Sequence, residues 1–232
     1  MSVEQLGPYI LALTGNCFPL GEDSLALGGF ATLRPGWPVC DLGCGGGTLL
    51  LLLARREPSL FLTGIERMPG PAETARRNLA QNGLSGRIIT GDLRDRALLP
   101  NEGFSLAVSN PPYFPVDSGR SAGPHRSEET CTLDELCAAA NRILRTGGRF
   151  ALVHRPERLC DLLAALRAHR LEPKRLRFAA HDDSSAPYAV LVEAVKNGRP
   201  GLAVLPTLLR QVPSGAQPQQ EAVEGVEAQS LG

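Results

Sequence analysis

Four consecutive residues stand out for what they could do to a substrate. Asn110-Pro111-Pro112-Tyr113 follows an apolar run, Phe104 to Ser109, that reads as a strand. Proline pairs commonly mark turns, and ending a strand is one use for these residues. A second use is chemical. An exocyclic amine or amide nitrogen has its lone pair delocalised into a π-system, so it is a poor nucleophile. Two acceptors aimed at its N–H groups draw it toward tetrahedral geometry and free the lone pair. Asn110 offers a side-chain oxygen. Pro111 offers a carbonyl, and the proline after it constrains its direction. Asn also adds no formal charge that must be desolvated. Tyr113 can stack on a planar group, worth roughly 1–3 kcal/mol for a base on an aromatic ring. No His adjoins the motif, and none is needed if the proton leaves after transfer.

A group transfer needs a donor, and a candidate site for one lies about 65 residues earlier. Val39-Cys40-Asp41-Leu42 runs into Gly43-Cys44-Gly45-Gly46-Gly47-Thr48. Glycines at a strand-to-helix turn let backbone approach a ligand closely. A dinucleotide fingerprint would want Gly or Ala where Thr48 stands, and a P-loop would want a Lys. Asp41 would repel a pyrophosphate. It suits an ammonium, such as the methionine end of S-adenosyl-L-methionine. Cys44 need only be small. Glu66, 23 residues after Gly43, ends a second apolar run and is placed for two ribose hydroxyls, with Arg67 beside it. Asp92, followed by Leu93, ends a third run. A surface carboxylate would explain any one acid; three after successive strands point to one site. Residues 41–47, Asp-Leu-Gly-Cys-Gly-Gly-Gly, resemble the first motif of class I methyltransferases. That resemblance assigns Asp92 to the adenine amino group of the cofactor and places Asn110 at its sulfonium.

The elements that must position these groups alternate. Strands are expected at 39–42, 60–65, 87–90, 104–109 and 149–154, and helices at 48–56, 71–82, 132–144 and 156–169. Thr132 and Glu135 make a capping box, and Gly147-Gly148 is expected to stop the third helix. Two strand-like runs, 175–180 and 188–195, follow with only a loop between them. The expected fold is α/β: a class I methyltransferase Rossmann-like sheet, mostly parallel, with a C-terminal antiparallel hairpin. Residues 1–30 form a cap segment, with a turn at 18–24 and a short helix to Phe30. The methyltransferase domain spans 31–197, an extension 198–210, and a Pro-, Gln- and Glu-rich tail, 211–232, is expected to be disordered.

Bulk properties narrow the classes. The 232 residues carry zero formal net charge and 43% apolar residues. No long uncharged apolar run suggests a membrane helix, and no signal peptide is expected, so the reading is a cytoplasmic protein. The six cysteines form no C-x-x-C pair and no His lies at zinc-ligand spacing; reduced thiols and no metal are expected. From Arg142 to Arg177 there are nine Arg and one Lys against three acids, an excess of seven. A polyanionic partner and a set of solvated helix faces both fit this run.

The tetrapeptide is shared by adenine, cytosine, guanine and glutamine methyltransferases. Several further segments narrow the resemblance. They are Phe18-Pro19-Leu20-Gly21-Glu22-Asp23-Ser24, His125-Arg126-Ser127-Glu128, the run from Gly147 to Leu159, Leu171 to Arg177, and Gly198-Arg199-Pro200-Gly201. Over about residues 16–210 the chain resembles the bacterial tRNA1(Val) adenine N6-methyltransferase family. The resemblance implies S-adenosylmethionine-dependent methylation of the adenine 3′ of the valine tRNA anticodon. It also offers Arg149, Arg155, Arg158, Lys174, Arg175 and Arg177 to RNA phosphates. Capping and surface packing are the other use of Arg155 and Arg158. Two departures touch the substrate side: His125-Arg126-Ser127-Glu128 stands where the family has Ala-Arg-His-Glu, and the acidic opening is absent. The alternatives are a glutamine N5 protein methyltransferase, another rRNA or DNA amino-methyltransferase, and a non-catalytic cofactor- or RNA-binding module.

Overall fold

The structure, a computed structural model, describes residues 2–111 and 131–210. It opens with a hairpin that the sequence did not announce: β1 (Ser2–Leu6) and β2 (Tyr9–Leu13) pair antiparallel about Gly7, whose φ is +67°. Helix α1 (Glu22–Phe30) ends at Phe30 as expected but takes in Glu22–Ser24, the last three residues of the segment expected as a turn.

The central sheet then builds up as β3 (Pro38–Leu42), α2 (Thr48–Arg56), β4 (Phe61–Glu66), α3 (Pro69–Gln81), β5 (Gly86–Thr90), β6 (Phe104–Ser109), α4 (Leu133–Ile143), β7 (Leu144–His154), α5 (Leu159–Ala168), β8 (Leu171–Ala180) and β9 (Ala189–Lys196). Strand order is β5-β4-β3-β6-β7-β9-β8. The first five run parallel; β9 lies antiparallel between β7 and β8. The extension 198–210 contributes β10 (Ala203–Val204) and β11 (Leu208–Leu209), both parallel to the outer edge of β8. The chain reverses its direction across the sheet between β3 and β6, which opens a crevice at their C-terminal ends.

Each face of the sheet has its own core. The hairpin, α1, α2 and α3 cover one face, with Leu11, Leu27, Leu50 and Leu53 fully buried. Helices α4 and α5 cover the other, against Phe150, Leu152 and Val192. All of Leu49–Ala54 is buried because α2 is enclosed by sheet, α1 and hairpin. Each such leucine contributes roughly 1.5–3 kcal/mol, which explains a helix apolar all round in a chain of ordinary hydropathy. The capping box on α4 forms as expected: Glu135 N–H donates to Thr132 Oγ1 and Thr132 N–H to Glu135 Oε2.

Two boundaries differ from expectation. β7 begins at Leu144, directly from the helix, and not at Arg149. Gly147-Gly148 does not stop the helix; it is absorbed in a bulge, where the pairing of β6 with β7 jumps from Phe104–Leu144 to Leu106–Arg149. β8 likewise starts at Leu171, with a second bulge between Pro173 and Arg175. All six thiols are free, and Cys40, Cys44 and Cys137 are buried. Among the described residues no helix is long and apolar enough to cross a membrane.

Candidate active site

A cavity of about 430 Å³ occupies the crevice at the C-terminal ends of β3, β4, β5 and β6. That volume lies in the range of small-molecule sites. Its floor and walls carry Gly43, Gly45, Glu66, Arg67, Asp92 and Asn110, with Leu93 and Pro111 beside them. These expected residues, scattered over nearly seventy positions, therefore converge. Pro112, Tyr113 and the stretch 125–128 lie outside the described residues.

Gly43 and Gly45 have φ of +81° and +51°, in the region that a side chain disfavours, and a Cβ on either would meet nothing within 4 Å. The loop is thus both strained for other residues and open above. It is fixed from below: Gly43 and Cys44 N–H groups donate to Ile65 O at 2.9 and 3.0 Å. Glu66 braces it from the side, with Oε2 accepting from Gly45 N–H at 3.0 Å and Oε1 from Met68 N–H at 2.8 Å. Each carboxylate oxygen keeps a further lone pair for a ligand. Asp92 accepts the Arg94 backbone N–H and Nε–H on Oδ1 and Nη2–H on Oδ2; these bonds hold its carboxyl below the usual range. Arg94 continues to Glu135 on α4 at 3.1 Å.

Two residues expected on the wall are not there. Asp41 is 1% exposed, beneath the loop and not facing the cavity, and its Oδ1 has no hydrogen-bond partner among the described residues. Burial, with repulsion from Glu66, pushes its carboxyl up to about 8. Cys44 is also turned away: its Sγ packs where a Cβ on Gly64 would stand, and burial raises its thiol.

Asn110 ends β6 next to Ser109, whose Oγ–H donates to Leu42 O at 2.8 Å and ties the ends of β6 and β3 together. Its Nδ2–H donates to Ser24 Oγ at 3.1 Å. Ser24 lies in the 18–24 motif, whose sequence predicts a turn, and in the fold it forms part of the cavity wall. Asn16, Cys17, Phe18, Pro19 and Gly21 complete that wall. The sequence signal for this wall is the motif at 18–24.

The expected phosphate ligands divide. Arg149 and Arg175 are turned to Glu193, which is 0% exposed, at 2.7 and 3.2 Å. Glu193 also accepts Thr32 N–H at 2.8 Å and Thr32 Oγ1–H at 2.9 Å, and Arg175 lies over the Phe30 ring at 4.6 Å. A buried carboxylate must be neutralised, so these two arginines are internal partners and not free for phosphate. Arg149 also lies five residues, roughly 16 Å, from the site end of β7. Lys174 donates to Arg199 O at 3.1 Å. Arg155 and Arg158 do sit at the site end, with Arg158 paired to Asp161 at 2.7 Å. Arg177, two residues beyond Arg175, has a buried Nε without a partner among the described residues. His154 is 3% exposed, and its Nδ1 accepts Arg155 N–H, a local structural bond.

Residues 31–169 match the family model of the methyltransferase small domain. The tRNA1(Val) (adenine(37)-N6)-methyltransferase of Porphyromonas gingivalis is 37% identical over 175 residues, covering 70% of this chain and 69% of its own. The chain belongs to the tRNA1(Val) (adenine-N6)-methyltransferase family. The relative of that name from Cronobacter sakazakii is 32% identical, covering 75% of this chain and 73% of its own. The fold matches a predicted O-methyltransferase from Agrobacterium tumefaciens, with a TM-score of 0.68 at 24% identity over 81% of this chain and 86% of that one. A putative methyltransferase from Bacillus halodurans gives a TM-score of 0.57 at 16% identity, over 77% and 100%. This family member is an S-adenosylmethionine-dependent N-methyltransferase on the class I fold.

Proposed function

We propose that the protein methylates N6 of an adenine in tRNA, the adenine 3′ of the tRNA1(Val) anticodon, in the cytoplasm. The observation that carries this reading is the placement of Asn110 and Pro111 in the cavity that also holds Glu66 and Asp92. S-adenosylmethionine, when bound, supplies an electrophilic methyl on a sulfonium. The residues suit it. Glu66 has lone pairs to spare for ribose hydroxyls, Asp92 is kept ionised as an acceptor for an amino group, and the space over Gly43 and Gly45 is open. Arg67 and Leu93 close the sides. Asp41, with its unpartnered oxygen, would serve an ammonium only from beneath the loop.

The chain's own work is to hold the target nitrogen. Asn110 Oδ1 accepts one N–H of the adenine amino group and the Pro111 carbonyl accepts the other. The lone pair is thereby released toward the methyl. Alignment of this kind supplies about 7–11 kcal/mol in favourable cases. Pro112 and Tyr113 keep their expected roles of fixing the turn and stacking on the base. An anticodon-loop adenine is already unpaired, so extruding it costs little. Arg155, Arg158, Lys174 and Arg177 remain as the candidates for phosphates; Arg149 and Arg175 do not.

Incubating the protein with tRNA and labelled cofactor, then analysing nucleosides by mass spectrometry, tests the reading. N6-methyladenosine is the expected product. Label on a protein glutamine, or on another base, overturns it.

A further inference from the structure

We infer that Ser24 is a positioning residue for methyl transfer, holding the Asn110 side-chain amide in the plane from which its oxygen meets the substrate amine. The inference rests on the proposed role of Asn110.

An Asn side chain at a strand end is free to turn about two bonds, and its amide acts only when Oδ1 faces the N–H to be accepted. The strand fixes the Asn110 backbone, not its amide. The Ser24 hydroxyl accepts Nδ2–H at 3.1 Å and lines the same cavity. With Nδ2 on the Ser24 side, Oδ1 occupies the other branch of the planar group. A hydroxyl can serve either branch of an amide, so Ser24 sets the place and plane of the group, and the substrate's own N–H donors select the oxygen.

Ser24 is itself well seated. It lies in the first turn of α1, and α1 is fastened to α2 at its other end. There Arg56 Nη1–H donates to Gly28 O and Ala31 O, and Gly28 approaches Leu52 so closely that a Cβ would stand 2.8 Å from the Leu52 Cβ. A rigid element outside the parallel sheet thus reaches over the crevice to grip the catalytic amide.

The test compares Ser24→Ala and Ser24→Thr with wild type in the full chain. Ser24→Ala is expected to lower kcat by about tenfold or more, with KM for tRNA and cofactor affinity changed by less than roughly threefold. Ser24→Thr, which keeps the hydroxyl, is expected to recover most of the rate. A kcat equal to wild type in Ser24→Ala overturns the inference, as does a loss that Thr does not recover. A second readout needs no substrate. In protein labelled with 15N at Asn, the Asn110 side-chain amide signal, assigned by its disappearance in Asn110→Ala, is expected to shift and exchange faster in Ser24→Ala. An unchanged signal overturns the inference. Failure of wild type to methylate tRNA would refute the proposed function, while the amide signal still decides for Ser24.

Discussion

Asn110 and Glu66 line one cavity yet should fail in different ways. In the proposed function Asn110 meets the nitrogen only as it reacts, so Asn110→Ala should cost at least about tenfold in kcat and leave cofactor affinity within a few-fold. Glu66 braces the glycine loop and, in the proposed function, takes the ribose, so Glu66→Ala should weaken cofactor binding; calorimetric affinity equal to wild type would remove it from the site. Asp41 leads to a pH prediction. Its carboxyl stands at about 8 in the fold against 3.8 ordinarily. Below the ordinary value both states are protonated and nothing is lost. Between the two values the unfolded chain is ionised and the folded one is not, so stability falls as pH rises. Asp41→Asn removes this titration. Its melting temperature relative to wild type should therefore climb from pH 5 to pH 8, and a constant difference would contradict the raised carboxyl. The acids were legible in the sequence because each stands at or just past the C-terminal end of a strand. The depth of Asp41 was not, because only the folded loop shows which side of it faces the ligand.

At the scale of elements, Glu193 joins β7, β8, β9 and the segment after α1 through Arg149, Arg175 and Thr32. Removing it leaves two arginines and a backbone N–H without their acceptor. Glu193→Ala should cost about 2–3 kcal/mol of stability, measured by denaturant unfolding, with little effect on cofactor affinity. This node accounts for part of the basic run. Nine arginines in sequence look like an electrostatic surface, but a single acid 18 residues beyond Arg175 consumes two of them, and spacing along the chain does not reveal a pairing across strands. The β-α alternation was legible because its apolar periods are long. The hairpin was not, since β1 buries only Leu6 and β2 only Leu11 and Leu13, and these pack against α2 and α3, far along the chain. The early start of β7 was hidden by Gly147-Gly148, which signals a helix stop and a bulge equally well.

For the whole molecule, the two faces of the sheet have separate cores, but the N-terminal segment shares one of them with α2 and α3. Residues 211–232 lie outside the described residues, and their Pro-, Gln- and Glu-rich composition carries the expectation that they do not pack. Deleting the chain beyond Pro213 should leave the melting temperature unchanged, and a large fall would show that the tail packs. The hairpin's attachment has a different consequence. Asn78, 1% exposed, donates to Gly46 O and to Ala12 O and accepts Ala12 N–H, while Asn82 accepts Ile10 N–H. One amide thus spans the cofactor loop and the first strands of the chain. Peeling the hairpin away and loosening the loop become linked equilibria. A ligand at a hundred times its dissociation constant adds about 2.7 kcal/mol against any opening that destroys its site. By reciprocity the hairpin tightens that ligand by the same coupling. The amide protons of Ile10 and Ala12, which line no part of the cavity, should therefore exchange with solvent more slowly as cofactor is added, making the hairpin a gauge of occupancy.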